Sequence, residues 1–214
     1  MIDADGVDAL SMRKLGQALG RDPMRVYRHT KSKAALLDAV AELVLEGLQV
    51  PAAVDGDWET AVRAAAHSFR TTALAHPRMI FLLIDRPMSV PPGGLRPSGL
   101  QWLEGLLSVL TEAGFDDPGA LHAYRFLTAF LSGHVIHEVQ ELMDTDTGST
   151  VEIRIGLDLL PEKQFPRVRA LAPGLAAHNG SLEFLLGLDI VLMGLRSQLL
   201  SAGTPAAPAP FPQH

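Results

Sequence analysis

The chain has 214 residues, of which 47% are hydrophobic and 20% are charged, and it contains no cysteine. This composition is typical of a globular protein that buries about 70% of its unfolded surface. The lack of cysteine excludes a disulfide framework, a thiolate metal site and a thiol nucleophile. We therefore expect a cytoplasmic protein.

No segment has the pattern of a membrane span or a secretory leader. The longest apolar run, residues 184–195, is interrupted by Asp189 and is shorter than the roughly 20 residues that cross a bilayer. The first ten residues lack the basic and apolar regions of a leader. We expect no membrane partner.

The charge is distributed unevenly along the chain. Residues 11–37 hold seven cations and the single acid Asp22, a net charge of +6 in a chain whose total is −6. The cations are Arg13, Lys14, Arg21, Arg25, Arg28, Lys31 and Lys33. One short positive segment on an acidic protein favours binding to a polyanion.

Helical periodicity dominates the chain and predicts an all-α fold, since the one alternation of β-branched residues, 151–155, is too short to found a sheet. Ser11 is a suitable N-cap for a first helix over 12–19, which Gly20 ends. Asp22 and Pro23 then begin a second short helix that runs to about residue 29.

Thr30 can cap a third helix that continues to about residue 48, and 51–56 is a candidate linker. Further helices are predicted over about 58–75, 78–84, 97–113, 118–143, 164–178 and 181–200. The pattern predicts three parts: a helix-turn-helix domain at 1–50, a helical ligand-binding and dimerisation bundle at 57–200, and a disordered tail at 201–214.

Two short helices joined by a glycine turn match the helix-turn-helix geometry, in which the second helix enters the major groove of DNA. Arg25 and Arg28 lie on that predicted helix, and arginine can bind guanine O6 and N7 with two hydrogen bonds. The alternative is an ordinary pair of capped, solvated helices. Spacing alone does not separate the two interpretations.

Residue identity does separate them. Residues 5–15 (DGVDALSMRKL), 18–29 (ALGRDPMRVYRH) and 31–39 (KSKAALLDA) closely resemble the DNA-binding signature of the TetR family. The resemblance implies DNA contacts at Ser11, Arg13, Met24, Arg25, Tyr27, Arg28, His29 and Lys33. An aromatic ring at Tyr27 could also pack inward.

One departure from the family pattern concerns the first helix. Family members begin with a full helix before the Gly-Val turn, whereas five residues precede Gly6 here. We expect the helix that precedes Gly6 to be truncated. We also expect the chain to be a ligand-responsive repressor that binds operator DNA as a homodimer. The alternative is a dimeric small-molecule-binding module with impaired DNA binding.

The resemblance extends to the carboxy-terminal domain of the tetracycline repressor subgroup, through Trp58, residues 68–70, 112–115 and 184–189. It implies a homodimer held by a four-helix bundle of the last helix and the 118–143 helix. The last helix is apolar nearly all round, and Gly187 and Gly194 are seven residues apart, which favours burial and close approach to a neighbour. A central helix of a monomeric bundle is the alternative.

The pocket positions differ from those of the tetracycline repressors. The histidine that holds the magnesium chelate there corresponds to Leu83 or Leu82, and its polar neighbours correspond to Gln49 and Ala65. We therefore expect a small-molecule effector that is less polar than magnesium-tetracycline. The candidate effector contacts are Phe69, Leu83, Trp102, Leu106, Arg125, His134 and His137.

His134, His137 and Glu138 are the residues that could support other chemistry. Histidines three positions apart can ligate a metal, but no second ligand helix is evident, so we expect no metal or cofactor. The same groups, or Asp85 with Arg86, could act as acid and base in an enzyme. No nucleophile motif, phosphate loop or carboxylate pair accompanies them, and we predict no enzyme.

Overall fold

The computed structural model describes residues 11–18, 20, 32–79, 97–144, 150–177 and 179–201. Within those ranges the regular structure is entirely helical, and the predicted all-α fold is confirmed. The helices are α1 Met12–Ala18, α2 Lys33–Leu45, α3 Trp58–Ala75, α4 Pro97–Glu112, α5 Asp117–Asp144, α6 Thr150–Asp158, α7 Pro166–Ala170, α8 Ala172–Ala176 and α9 Gly180–Ser201.

Side-chain caps precede five of the described helices, among them α1, α2 and α3. The Ser11 hydroxyl accepts a hydrogen bond from the Lys14 N–H at 3.2 Å, as predicted for α1. At α2 the cap is Ser32, whose hydroxyl accepts from the Ala35 N–H at 3.1 Å, and the predicted cap at Thr30 is wrong. The Asp57 carboxylate caps α3 by accepting from the Thr60 N–H at 3.1 Å.

Two predicted boundaries are also wrong, and one helix was not predicted. Helix α2 ends at Leu45 rather than near residue 48, because Leu48 turns away to pack against the main core. Residues 164–178 form α7 and α8 rather than one helix, with Leu171 between them. Residues 150–158 form α6, which the sequence analysis did not predict.

Helices α3, α4, α5 and α9 enclose the main core. Alanines at 61, 65 and 66 give α3 a small, buried face that lets its neighbours approach closely. Large side chains from the other three helices fill the interior; the fully buried ones are Leu106, Leu110, Leu127, Leu131, Phe184, Leu188 and Leu192. Burial of each such side chain contributes about 1.5–3 kcal/mol.

Helix α9 buries only one of its faces within the chain. Phe184, Leu188 and Leu192 point into the core, whereas Ile190 is 71% exposed and Met193 is 66% exposed. The described part of the single chain therefore leaves one apolar face of α9 exposed. By length and composition alone α9 could span a bilayer, a test that the core helix of a globular protein also passes.

The two glycines of α9 have different surroundings. A Cβ at Gly187 would lie 2.5 Å from the Phe130 ring of α5, so this glycine permits close packing between α5 and α9. A Cβ at Gly194 would meet nothing within 4 Å. The two glycines therefore share no neighbour within the chain.

Candidate DNA-binding segment and effector site

The described part of the basic segment presents its cations to solvent. Arg13 and Lys14 are exposed on α1, and Lys33 is exposed at the first residue of α2. Gly20 has a φ of +60°, the left-handed conformation that the predicted turn after α1 requires. The other expected DNA contacts, Met24, Arg25, Tyr27, Arg28 and His29, lie outside the described residues.

Helix α2 is joined to the larger domain by a buried polar contact that the sequence analysis missed. The Ser98 N–H, in the first turn of α4, donates a hydrogen bond to Glu42 Oε1 at 2.7 Å. Ser98 is buried, and a carboxylate at a helix N-terminus interacts favourably with the helix dipole. Glu42 Oε2 is also buried, and no described residue forms a hydrogen bond with it.

The residues between α2 and the linker also contact α3 and α4. The Gln49 N–H donates to Ser68 Oγ at 2.9 Å, so this expected pocket position is engaged through its backbone. A Cβ at Gly105 would lie 2.9 Å from Val50 Cβ, which shows how closely the chain just before the linker approaches α4. The segment that carries Lys33 is therefore attached to α3 and α4, the helices that carry the candidate effector residues.

Three of the candidate effector residues come together at an aromatic cluster between α3, α4 and α5. The rings of Phe69 and Trp102 are 5.8 Å apart, and Leu106 lies one turn further along α4, fully buried. Tyr124 is a fourth member that the sequence analysis missed, with its ring 6.4 Å from that of Trp102. Burial raises the pKa of the Tyr124 hydroxyl, so this ring is neutral at physiological pH.

The polar atom of this cluster is unpaired. Trp102 is 8% exposed, and its indole Nε1 is buried with no hydrogen-bond partner in the part of the chain that the structure describes. Buried N–H groups in folded proteins nearly always have a partner, so an orphaned one needs an explanation.

The remaining candidate effector residues lie apart from the aromatic cluster or beyond the described chain. Arg125 and His137 are exposed on α5, and Leu83 is outside the described residues. His134 is half-buried, and its Nε2 lies 3.0 Å from the Gly180 carbonyl oxygen.

His134 belongs to a polar network that joins α3, α5 and α9. Arg70 donates two hydrogen bonds to the Glu138 carboxylate, one from Nε to Oε2 at 2.8 Å, and a third to Ser181 Oγ at 2.9 Å. The Arg70 guanidinium also lies 5.4 Å from the centre of the Phe184 ring. These contacts occupy Glu138, which the sequence analysis considered only for metal binding or acid-base chemistry.

No group of three or more metal-ligating side chains occurs in the described ranges. Cation-π packing, ion pairing and helix attachment account for the polar groups around His134. The contacts of Arg70, Glu138 and His134 join helices α3, α5 and α9.

Comparison with known proteins agrees with this geometry. Residues 50–199 match the family model for the tetracyclin repressor-like, C-terminal domain. The chain is 30% identical over 206 residues to the class A tetracycline repressor protein from transposon 1721 of Escherichia coli, covering 94% of this chain and 87% of that protein. It is 29% identical over 150 residues to the HTH-type transcriptional repressor DrrR1 of Streptomyces coeruleorubidus, covering 69% and 53%.

Solved structures show the same fold. The TetR family protein ActR of Streptomyces coelicolor, in complex with actinorhodin, superposes with a TM-score of 0.77 at 29% identity over 92% of each chain. Fold and sequence thus define an all-α protein whose larger domain is of the tetracycline-repressor type. The chain belongs to the TetR family of transcriptional regulators. The resemblance stated from sequence is confirmed, and these relatives are regulators rather than enzymes.

Proposed function

We propose that the chain is a repressor that binds operator DNA as a homodimer and releases it when a small-molecule effector binds. The observation that carries the proposal is the combination of a TetR-type larger domain at 50–199 with a segment of net charge +6 at 11–37. The relatives named above include repressors and a regulator solved with a small molecule bound. A cytoplasmic location is part of the proposal.

The described structure supports DNA binding in two ways. Arg13, Lys14 and Lys33 are exposed, so these cations are accessible to phosphates. The Ser11 cap begins α1, and Gly20 follows the helix with a φ of +60°, as a helix-turn-helix requires. By family resemblance the contacts are Ser11, Arg13 and Lys33, together with the second-helix residues Met24, Arg25, Tyr27, Arg28 and His29.

A homodimer is supported by the outward faces of α5 and α9. Leu186, Ile190 and Met193 of α9 are between 50% and 71% exposed, and Phe126 of α5 is 70% exposed. Exposed apolar patches of this kind mark protein interfaces. A two-fold dimer through these helices would set the two reading helices about 34–36 Å apart, one turn of DNA.

Effector release follows from the attachment of the DNA-binding segment. Because α2 and its linker contact α3 and α4, a ligand that moves those helices would shift the population between two head spacings. The effector proposed here is not magnesium-tetracycline, since leucines occupy the position of its metal-binding histidine. The proposed effector contacts are Phe69, Leu83, Trp102, Leu106, Arg125, His134 and His137.

The test is operator binding across a salt series, with footprinting on the promoter beside the chain's own gene. Neutralising Arg25, Arg28 and Lys33 together should weaken binding by at least about tenfold and flatten the salt dependence, because fewer counterions are released. The matched control neutralises Arg154, Lys163 and Arg167, three exposed cations of the larger domain. Equal affinity of the two triple variants would refute operator binding through this segment.

A further inference from the structure

The unpaired indole N–H of Trp102 identifies the kind of effector that this site takes. We propose that Trp102 is the hydrogen-bond donor of the effector site and that it selects an uncharged aromatic ligand carrying an acceptor oxygen. This inference rests on the proposed function, because it names the ligand class of that regulator. It assigns Trp102 a specificity-determining role.

The buried indole N–H of Trp102 carries a desolvation cost. Trp102 is 8% exposed, and none of the described residues accepts a hydrogen bond from its Nε1. An indole nitrogen can only donate, so the missing partner must be an acceptor. A ligand carbonyl or ether oxygen would remove the desolvation cost that the chain alone leaves uncompensated.

Aromatic side chains surround this donor. Phe69 is inclined at 36° to Trp102 and Tyr124 at 62°, with centroid distances of 5.8 and 6.4 Å. Aromatic rings pair over such distances in offset and edge-to-face arrangements, so a flat ring of the ligand would add to this cluster. Leu106, fully buried one turn along α4, provides an aliphatic surface beside it.

The rings around Trp102 carry no charge. The two rings in contact with Trp102 are both neutral, since burial raises the pKa of the Tyr124 hydroxyl. A charged ligand would lose its hydration without gaining a counter-charge from these residues. A metal chelate would need oxygen or nitrogen ligands, and among Phe69, Trp102, Leu106 and Tyr124 the one acceptor oxygen is the Tyr124 hydroxyl, whose raised pKa keeps it protonated.

The experiment uses the full-length chain and two flat probes of similar size, 1,4-naphthoquinone and naphthalene. Only the quinone carries acceptor oxygens, and the chain has no cysteine thiol to react with it. The chain has two tryptophans, so a ¹⁵N-labelled sample gives two indole N–H signals, which Trp58→Phe assigns. Trp58 packs edge-on against Phe115, 5.9 Å away, and serves as the internal reference.

The expected result is a downfield shift of the Trp102 indole proton with naphthoquinone but not with naphthalene, while the Trp58 signal stays in place. Calorimetry should show that Trp102→Phe weakens naphthoquinone binding about 3- to 10-fold, the usual effect of one hydrogen bond, and leaves naphthalene binding unchanged. Trp58→Phe is the matched control for loss of an indole.

Equal shifts with both probes, undiminished quinone binding by Trp102→Phe, or failure of both probes to bind would each overturn the proposal. The indole signal keeps the test valid even if the Trp102→Phe variant is poorly folded, because it is read in the unsubstituted protein. Operator binding is measured without either probe, so failure here is distinguishable from failure of the proposed repressor.

Discussion

Arg70 shows how much of this fold depends on single polar side chains. It links α3 to Glu138 of α5 and Ser181 of α9, and both members of the ion pair are largely buried, with side chains 16% and 10% exposed. Gly180 fits the same contact, since a Cβ there would lie 2.5 Å from Glu138 Oε1. The start of α9 is therefore fixed by a network that no helical periodicity encodes.

Replacing Arg70 by methionine should lower the free energy of unfolding by about 3 kcal/mol, because Glu138 would remain as a buried charge without its partner. Urea unfolding at fixed protein concentration measures the change. The control is Arg154→Met, which removes an exposed pair with Asp158 at 3.9 Å and should cost less than about 1 kcal/mol. Equal losses in the free energy of unfolding would show that the buried pair contributes no more than the exposed pair.

At the scale of elements, caps and close contacts decide where helices begin and how near they approach. Asp57 caps α3, and the hydrogen bond from the Thr60 side chain, followed by that from its backbone, lowers the pKa of the Asp57 carboxyl. Helix α3 then forms ion pairs with α9 through Arg63 and Asp189, 2.5 Å apart. The Asp57 cap thus begins the helix that carries Arg63 to its contact with α9.

The Asp57 cap should make stability depend on pH. Because the folded-state pKa is below the unfolded value, the stabilisation is present above the unfolded pKa and is lost as pH falls through the folded pKa. Thermal melts of the unsubstituted chain and of Asp57→Asn should therefore differ near neutral pH and converge in acid. Asp55→Asn, two residues earlier and outside the cap, is the control. A pH-independent difference would contradict this assignment.

At the scale of the whole molecule, the single chain leaves an apolar surface that its own helices do not cover. On α9 the buried residues Leu188 and Leu192 alternate with the exposed residues Ile190 and Met193. Gly194 adds open space on the outer side, where a second helix could approach. This surface is what the proposed dimer would bury.

Ile190→Glu should shift the chain toward monomer, because a carboxylate in an apolar interface loses its hydration without a partner. Sedimentation velocity over a concentration series measures the change, and operator affinity should fall with it. Val54→Glu is the matched control, since Val54 is 74% exposed in the linker and away from α9. An unchanged sedimentation coefficient for Ile190→Glu would exclude this face as the interface.

The elements that depend on neighbours along the chain could be predicted from the amino-acid sequence. Periodicity predicted α3, α4, α5 and α9 to within one or two residues, because burial of one helix face repeats every three or four positions. Residue identity around the Gly20 turn indicated the TetR family, which the comparisons confirm. The individual DNA and effector contacts stay predictions, and those at 24–29 lie outside the described residues.

The contacts between residues far apart in the chain became visible only in the folded protein. Arg70 and Glu138 are 68 positions apart, and nothing local marks them as partners. The same holds for the unpaired nitrogen of Trp102 and for the one-sided burial of α9. Such contacts depend on how whole helices pack, whereas caps and periodicity act within a few residues of themselves.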